Sequence, residues 1–400
     1  MKSNYKRLGD YIREINIRNV ELKEVILLGV SIQKEFIPSI ANTIGTNMKT
    51  YKLVKRGQFA YGPVTSRNGD RISIALLEDY KEAMISQSYT CFEVINNNEL
   101  LPEYLMMWFK RPEFDRYARY ISHGSVREIF SWEDMCNVEL PIPSIEEQRK
   151  IVKEYNVIEN RIKLNNQFVL KLEETAQTIY NQWFVNFEFP DENCMPYKSN
   201  GGKMEFNETI NKEIPKGWKV GSLKDISQYI NNKILLEKLT TKNYISTENM
   251  LPNRGGVVES QKIPNVNKVN EFKTGNILIS NIRPYFKKIW MATFNGGCSN
   301  DVLCLGTNND IFSKFLYYTL ERDDFFDYVM AGSKGTKMPR GDKDWIMNYP
   351  LILPDEKVLN HYNKVISSFI TIQESKRKEN NLLDNFKTVH LSILARKAQW

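Results

Sequence analysis

Across 400 residues, this chain spells one arrangement of landmarks twice, and that duplication restricts its possible folds more than any local propensity. The internal period is about half the chain, so it marks a duplicated domain and not a solenoid of short repeats. Each half opens on a short leader, Arg7-Leu8-Gly9-Asp10-Tyr11-Ile12 and Ser222-Leu223-Lys224-Asp225-Ile226. A basic turn into an apolar run follows in both, Lys55-Arg56-Gly57-Gln58-Phe59-Ala60-Tyr61 and Lys273-Thr274-Gly275-Asn276-Ile277-Leu278-Ile279. An aromatic, helix-like stretch is next, at 102–109 and 312–318, and then a Gly-Ser loop, His123-Gly124-Ser125 and Ala331-Gly332-Ser333. A proline-bounded apolar strand closes each half, at 138–143 and 349–354, and a long helix begins after each closing proline.

The first of these helices is the clearest element in the chain. Ser144-Ile145-Glu146-Glu147 reads as a capping box. From there Ile151, Tyr155, Ile158, Ile162, Asn165, Val169, Leu172, Ala176, Ile179 and Trp183 keep strict 4-3 spacing, with Asn165 the one polar member and no glycine or proline before Pro190. Such a heptad predicts a coiled-coil seam, on a helix of roughly 60 Å. The second helix is expected from an Asp355 N-cap nearly to Trp400, with one seam at Val358, Tyr362, Val365, Phe369 and Ile372 and another at Leu383, Phe386 and Ile393. Lys376 and Glu379 interrupt it near the middle, as Asn165 does the first helix. Antiparallel pairing with polar groups fixing register is the simplest reading, and two separate helices each lying on its own domain is the alternative. Between helix and second half, 190–218 is rich in turn formers and poor in apolar periodicity, which reads as linker.

Composition bounds the rest. Apolar residues make up 42% of the chain, enough for cores in two or more domains. Fifty-five basic against 48 acidic side chains leave a net charge of +7, a modest excess compatible with a polyanionic partner. Five scattered cysteines, no Cys-x-x-Cys and three histidines argue against a disulfide framework or a zinc site, and fit a reducing cytosol. No uninterrupted apolar stretch approaches a membrane span, and no apolar leader opens the chain, so a cytoplasmic protein without a membrane partner is expected.

Catalytic signatures are missing. There is no Gly-x-Gly after an expected strand, no Asn-Pro-Pro-aromatic motif and no Walker A pattern, so no cofactor is expected. Asp355 with Glu374-Ser375-Lys376 imitates a metal-dependent nuclease motif, but a capping Asp and a carboxylate roughly 28 Å along the helix cannot share a magnesium ion. Ser31-Ile32-Gln33-Lys34 matches a Ser-x-x-Lys pattern without its supporting motifs, and Cys298 reads as a buried structural thiol.

Sequence readout of DNA needs Arg, Lys, Asn or Gln presented from loops or helix ends. In the first half, 65–71 is a turn-rich loop carrying Arg67, Asn68 and Arg71, and the Gly-Ser loop adds Ser125 and Arg127. The corresponding loop of the second half, 280–288, carries Asn281, Arg283, Tyr285 and Lys287, joined by Lys334, Lys337 and Arg340. Each of these alone reads as a solvated loop charge. Together, in matching places, they point to a polyanion-facing surface.

Several stretches resemble one family. They are 140–151, Leu-Pro-Ile-Pro-Ser-Ile-Glu-Glu-Gln-Arg-Lys-Ile; 183–190, Trp-Phe-Val-Asn-Phe-Glu-Phe-Pro; 196–204, Pro-Tyr-Lys-Ser-Asn-Gly-Gly-Lys-Met; 213–218, Glu-Ile-Pro-Lys-Gly-Trp; and 279–285, Ile-Ser-Asn-Ile-Arg-Pro-Tyr. In this order they resemble the specificity subunits of type I restriction-modification systems. The resemblance implies an α+β fold in which two mixed α/β target recognition domains are joined by two long antiparallel coiled-coil helices, a pseudo-twofold internal repeat. It places a first recognition domain at 1–143, a spacer helix at 144–189, a linker at 190–218, a second recognition domain at 219–354 and a second spacer helix at 355–400. Each recognition domain would read one half of a bipartite, asymmetric site in double-stranded DNA. The helices would set the half-site spacing and dock two methyltransferase subunits, restriction subunits would complete the complex, and this chain would perform no chemistry. Where the first helix starts with Glu-Glu-Gln, the second has Asp355-Glu356-Lys357-Val358, which leaves open whether both helix starts engage the partner alike. A coiled-coil protein-binding scaffold and a single-chain DNA-modifying enzyme are the competing readings. The first would bind no DNA at any salt, and the second would need a cofactor motif.

Overall fold

The computed structural model describes residues 5–40, 45–66, 68–69, 71–122 and 128–396, with side chains to residue 392. The chain divides into two compact units, one of 1–167 with 376–400 and one of 168–375. The two long helices, Ile145–Tyr180 and Glu356–Arg396, each contribute to both.

In unit 1 an antiparallel sheet orders its strands Ile12–Ile15, Thr90–Val94, Phe59–Tyr61, Ile74–Leu76. A second sheet runs Phe36–Pro38, Leu27–Val30, Glu82–Ile85, Lys52–Lys55, with its middle pair parallel. Unit 2 has the same plan. Its first sheet is Ser227–Tyr229, Val302–Thr307, Ile277–Ser280, Ile289–Met291. Its second is Lys233–Leu235, Lys268–Phe272, Gly296–Cys298, Tyr244–Ile245, and the last two strands are parallel. The units differ at the edges. Unit 1 adds Phe36–Pro38 beside its parallel strand, whereas unit 2 adds Lys233–Leu235 at the opposite edge, where the described residues of unit 1 form the isolated Arg18–Lys52 bridge.

The repeated landmarks fall on repeated backbone bonds. Leu8 N donates to Val138 O at 2.8 Å, as Leu223 N does to Tyr349 O at 2.9 Å. Gly57 and Gly275 sit at φ 84° and 88° in the turn before the central strand, a left-handed conformation that a side chain makes costly. In both turns the next residue but two closes the loop, Gln58 Oε1 accepting from Lys55 N and Asn276 Oδ1 from Lys273 N, each at 2.7 Å.

Helices Pro102–Phe109 and Pro112–Ile121 in unit 1, and Ser313–Leu320 and Asp323–Ala331 in unit 2, cover the first sheet. Their aromatics are core and not stacking platforms. Phe59 and Phe92 stack at 4.7 Å with Phe109 edge-on at 5.9 Å from Phe59, while Phe184 lies edge-on to Phe315 at 4.9 Å and to Tyr362 at 4.8 Å.

Ser144 Oγ accepts from Glu147 N, and Asp355 Oδ1 from Val358 N, so both long helices are capped where their sequences propose it. Within unit 1 the helices run antiparallel, Glu159 meeting Lys387 at 3.1 Å and Asn165 meeting Asn380 at 2.8 Å. Within unit 2 they do so too, Gln373 reaching Val169 O and Trp183 lying 5.7 Å from Tyr362. Ile151, Tyr155, Asn165 and Val169 are buried, and Ile158, Ile162, Leu172, Phe369 and Leu383 half-buried. Two expected seam positions need correction: Ile372 and Phe386 point outward, 39% and 65% exposed. The second helix buries Val358 and Tyr362 of the expected seam and, beside them, Leu359, Ile366, Gln373, Asn380 and Leu391. Choosing apolar residues misses this seam, because its middle is amide paired with amide, satisfied polar groups that burial tolerates. The side chain of Ile393 lies outside the described residues.

The 190–218 segment also departs from the linker expected of it. It forms the hairpin Met204–Asn207 with Lys212–Pro215, and buries Ile214 and Trp218 in the unit 2 core beside Phe187 and Phe189. The turn formers around this hairpin hide two large anchors that show no period.

Candidate nucleic-acid interface

Segments bordering the loops singled out by their basic residues pair with one another in each unit. In unit 1, the chain after Tyr61 pairs with the chain that follows the Gly-Ser loop: Val64 bridges Ile129, Thr65 N donates to Glu128 O at 3.0 Å and Phe130 N to Pro63 O at 2.8 Å. In unit 2, the chain after Ser280 pairs likewise with 334–341: Ile282 bridges Arg340, Arg283 N donates to Pro339 O at 2.8 Å and Gly341 N to Asn281 O at 3.2 Å. Two segments distant in sequence are thus paired at the same place in the topology of each unit.

On the unit 1 surface Asn68 is half-buried, its Nδ2 donating to Val64 O at 3.3 Å, and Arg71 is exposed. Arg67, Ser125 and Arg127 lie outside the described residues.

The unit 2 surface is fully described. Arg283 and Lys287 hold left-handed backbone, at φ 50° and 51°, on either side of the single turn Pro284–Phe286. This turn lifts Tyr285 to 46% exposure, with its ring 4.7 Å from that of Phe286. Arg283 Nε and Asn281 Oδ1 are buried without a hydrogen-bond partner among the described residues. Lys334 pairs with Asp342 at 2.6 Å, which raises the lysine and lowers the carboxyl in pKa. Arg340 reaches Asp301 at 3.2 Å, and Lys337 is exposed. Exposed pairs of this kind hold loosely, so their cations can be exchanged onto phosphate.

Three further cations, Lys288, Arg254 and Lys34, bear on the geometry, and of these Arg254 belongs to no stretch singled out in the sequence. Lys288 Nζ donates to Thr247 O at 2.6 Å, and burial lowers its pKa. Asn253 and Arg254 form a turn whose amides donate to Phe286 O at 2.8 Å and Lys287 O at 2.9 Å. Pro252-Asn253-Arg254-Gly255-Gly256 is a strong turn signal that could have drawn attention to it. Lys34 Nζ pairs with Asp115 at 2.8 Å, which absorbs the Ser-x-x-Lys pattern into an ion pair. Burial pushes the Cys298 thiol up to about 12. Among the described residues no group of three or more His, Cys, Asp or Glu converges as a metal site, and no helix is long and apolar enough to cross a membrane.

Residues 16–174 match the family model described as the type I restriction modification DNA specificity domain. The type I restriction enzyme MjaIX specificity subunit of Methanocaldococcus jannaschii is 36% identical over 137 residues, covering 33% of this chain and 29% of that one. The EcoDI specificity subunit of Escherichia coli is 23% identical over 329 residues, 75% of this chain and 72% of that one. The chain therefore spans under a third of the length of the first relative and most of the second. A crystal structure of a type I restriction-modification system S subunit from M. genitalium shares the fold, with a TM-score of 0.53 at 13% identity over 98% of this chain and 96% of that one.

Proposed function

We propose that the chain is a specificity subunit of a type I restriction-modification system, that it binds double-stranded DNA and that it catalyses no reaction itself. Each unit reads one half of a bipartite, asymmetric site, through the loops flanking the paired segments 63–65 and 128–130 in unit 1 and through the paired loops 281–288 and 334–341 in unit 2. One observation carries this reading: divergent halves keep the same loop-to-loop bridge, Val64–Ile129 and Ile282–Arg340, and both bridges frame basic residues. Phosphate contacts supply affinity, and loop donors on base edges supply sequence.

The long helices set the spacing between half-sites and dock two methyltransferase subunits, and restriction subunits complete the assembly in the cytoplasm. An exposed apolar stripe supports the docking role. Leu382, Phe386 and Val389 stand 61%, 65% and 55% exposed at 4-3 spacing on one face of the second helix, and Val157 and Leu164 stand 63% and 56% exposed, seven residues apart, on the first.

The test is genome-wide mapping of N6-methyladenine in the native host with and without this gene. Loss of one split, asymmetric motif on deletion is the expected result. An unchanged map, from cells in which the chain co-purifies with a methyltransferase subunit, refutes the assignment.

A further inference from the structure

Lys34 and Arg254 hold positive φ, 68° and 62°, at equivalent places in the two units. Each follows the parallel strand of the second sheet, Leu27–Val30 in one and Tyr244–Ile245 in the other. Each sends its cation into the corner between two consecutive helices. Lys34 Nζ donates to Phe109 O at the end of one helix, pairs with Asp115 in the first turn of the next and lies 5.8 Å from the Phe114 ring centre. Arg254 Nε donates to Glu321 O just past one helix, its Nη2 pairs with Asp323 in the first turn of the next, and it lies 5.8 Å from the Phe326 ring centre. Carbonyl, carboxylate, aromatic ring and cation recur together, built from different residues.

The carboxylate has a second bond in each unit, and it goes to the basic loop. Asp115 Oδ1 accepts from Ile72 N at 3.1 Å, immediately after Arg71. Asp323 Oδ1 pairs with Lys287 Nζ at 2.7 Å, at the end of 281–288. The two bonds hold the Asp323 carboxyl down at about 2 in pKa. In unit 2 this junction gathers four left-handed residues that are not glycine, Asn253, Arg254, Arg283 and Lys287. Backbone held this way costs free energy, and an exposed ion pair returns little of it, so stability alone does not account for the arrangement. A fixed loop pose does, because a loop ordered before binding loses less entropy on binding.

We propose that Asp115 and Asp323 are positioning residues for DNA reading: each ties the basic loop of its own unit to a cation anchored in the helix corner, Lys34 in unit 1 and Arg254 in unit 2. The proposal rests on the reading that each unit recognises one half-site.

The experiment co-expresses the full chain with its methyltransferase subunits and maps N6-methyladenine for wild type, Asp323→Asn and Asp115→Asn. Asp323→Asn, on a 66% exposed side chain, is expected to leave thermal unfolding unchanged. Methylation at the wild-type motif should fall about tenfold, with degeneracy confined to one half-site. Asp115→Asn should do the same at the other half-site. Because it leaves the buried Lys34 ammonium without its counter-charge, Lys34→Met combined with Asp115→Asn is the companion variant, and it should reproduce the half-site defect in a chain that melts like wild type. Two intact half-sites in these variants, beside a wild-type motif, overturn the positioning role alone. Loss at both half-sites together marks a folding role and overturns it as well. A wild-type chain that directs no motif overturns the functional reading, and the positioning role with it.

Discussion

Replacing Asn165 by alanine should destabilise unit 1 far more than one exposed amide could. Asn165 is 2% exposed and Asn380 8%, in the seam where the two long helices meet within that unit. Asn165 Nδ2 donates to Asn380 Oδ1 at 2.8 Å, and Asn380 Nδ2 donates on to Asn166 Oδ1 at 2.8 Å. Truncation strands a buried acceptor, which costs about 1–3 kcal/mol, whereas removing both partners together leaves nothing stranded. Replacing the pair by two leucines should therefore be close to neutral or stabilising, at the expense of register, since an apolar seam slides where an amide pair does not. The assay is a double-mutant cycle on the full chain, with Asn165→Ala, Asn380→Ala and the double variant, each unfolded in urea and followed by circular dichroism. The expected coupling energy is about 1–2 kcal/mol. Single variants that each cost under about 0.5 kcal/mol, with no coupling, refute the claim that this pair organises the seam.

Four further outcomes follow from particular groups. Burial, reinforced by Glu173 and opposed by Tyr317 and Arg254, pushes the Glu321 carboxyl from 4.5 up to about 7. The folded state then holds a proton that the unfolded state releases, so stability should decline by as much as about 3 kcal/mol as pH rises from about 4.5 to about 7, and Glu321→Gln should flatten that decline in pH-dependent melting. Gly57→Ala and Gly275→Ala add a Cβ that meets no atom within 4 Å, so their cost is the left-handed backbone alone, about 1–2 kcal/mol each by chemical unfolding. Cys194 is exposed, while burial pushes Cys91 up to about 11 and Cys298 and Cys304 up to about 12, so a thiol reagent should label Cys194 first in the native protein, as peptide mapping would reveal. Phe386→Asp should abolish co-purification with the methyltransferase subunit while leaving the melting temperature unchanged.

How much of this was legible in the residues depended on which force wrote the pattern. The first long helix was plain because its seam is apolar at 4-3 spacing, and burial of apolar area is the strongest periodic signal a chain carries. The second was only half legible. Gln373 and Asn380 occupy core positions there, and an apolar search steps over them to Ile372 and Phe386 on the outer face. The 190–218 segment failed for a different reason. Its structure rests on a few large anchors, Ile214 and Trp218, set among turn formers, and anchors without a period look like loop. The paired basic loops were legible as composition, because Arg283, Lys334 and Arg340 are basic and turn-flanked. Their meeting was not, since it is made by backbone groups, and every residue but proline has the same N–H and C=O.

The helix-corner junction shows most sharply what a duplicated sequence conceals. Its cation is lysine in one unit and arginine in the other. Its carboxylate is the fourth residue of Pro112–Ile121 but the first of Asp323–Ala331. The second bond of that carboxylate goes to a backbone amide in one case and to an ammonium in the other. No alignment of the two halves would set these residues in register, because what recurs is a geometry and not a spelling. A carboxylate a few ångströms from a helix N-terminus can be reached from more than one helical position, and a long basic side chain can reach it from more than one loop. Divergence was therefore free to exchange the parts so long as the carbonyl, the ring and the charge stayed within reach of the basic loop. A contact kept through such exchange restrains the loop in both units, and that is where half-site reading would feel its loss.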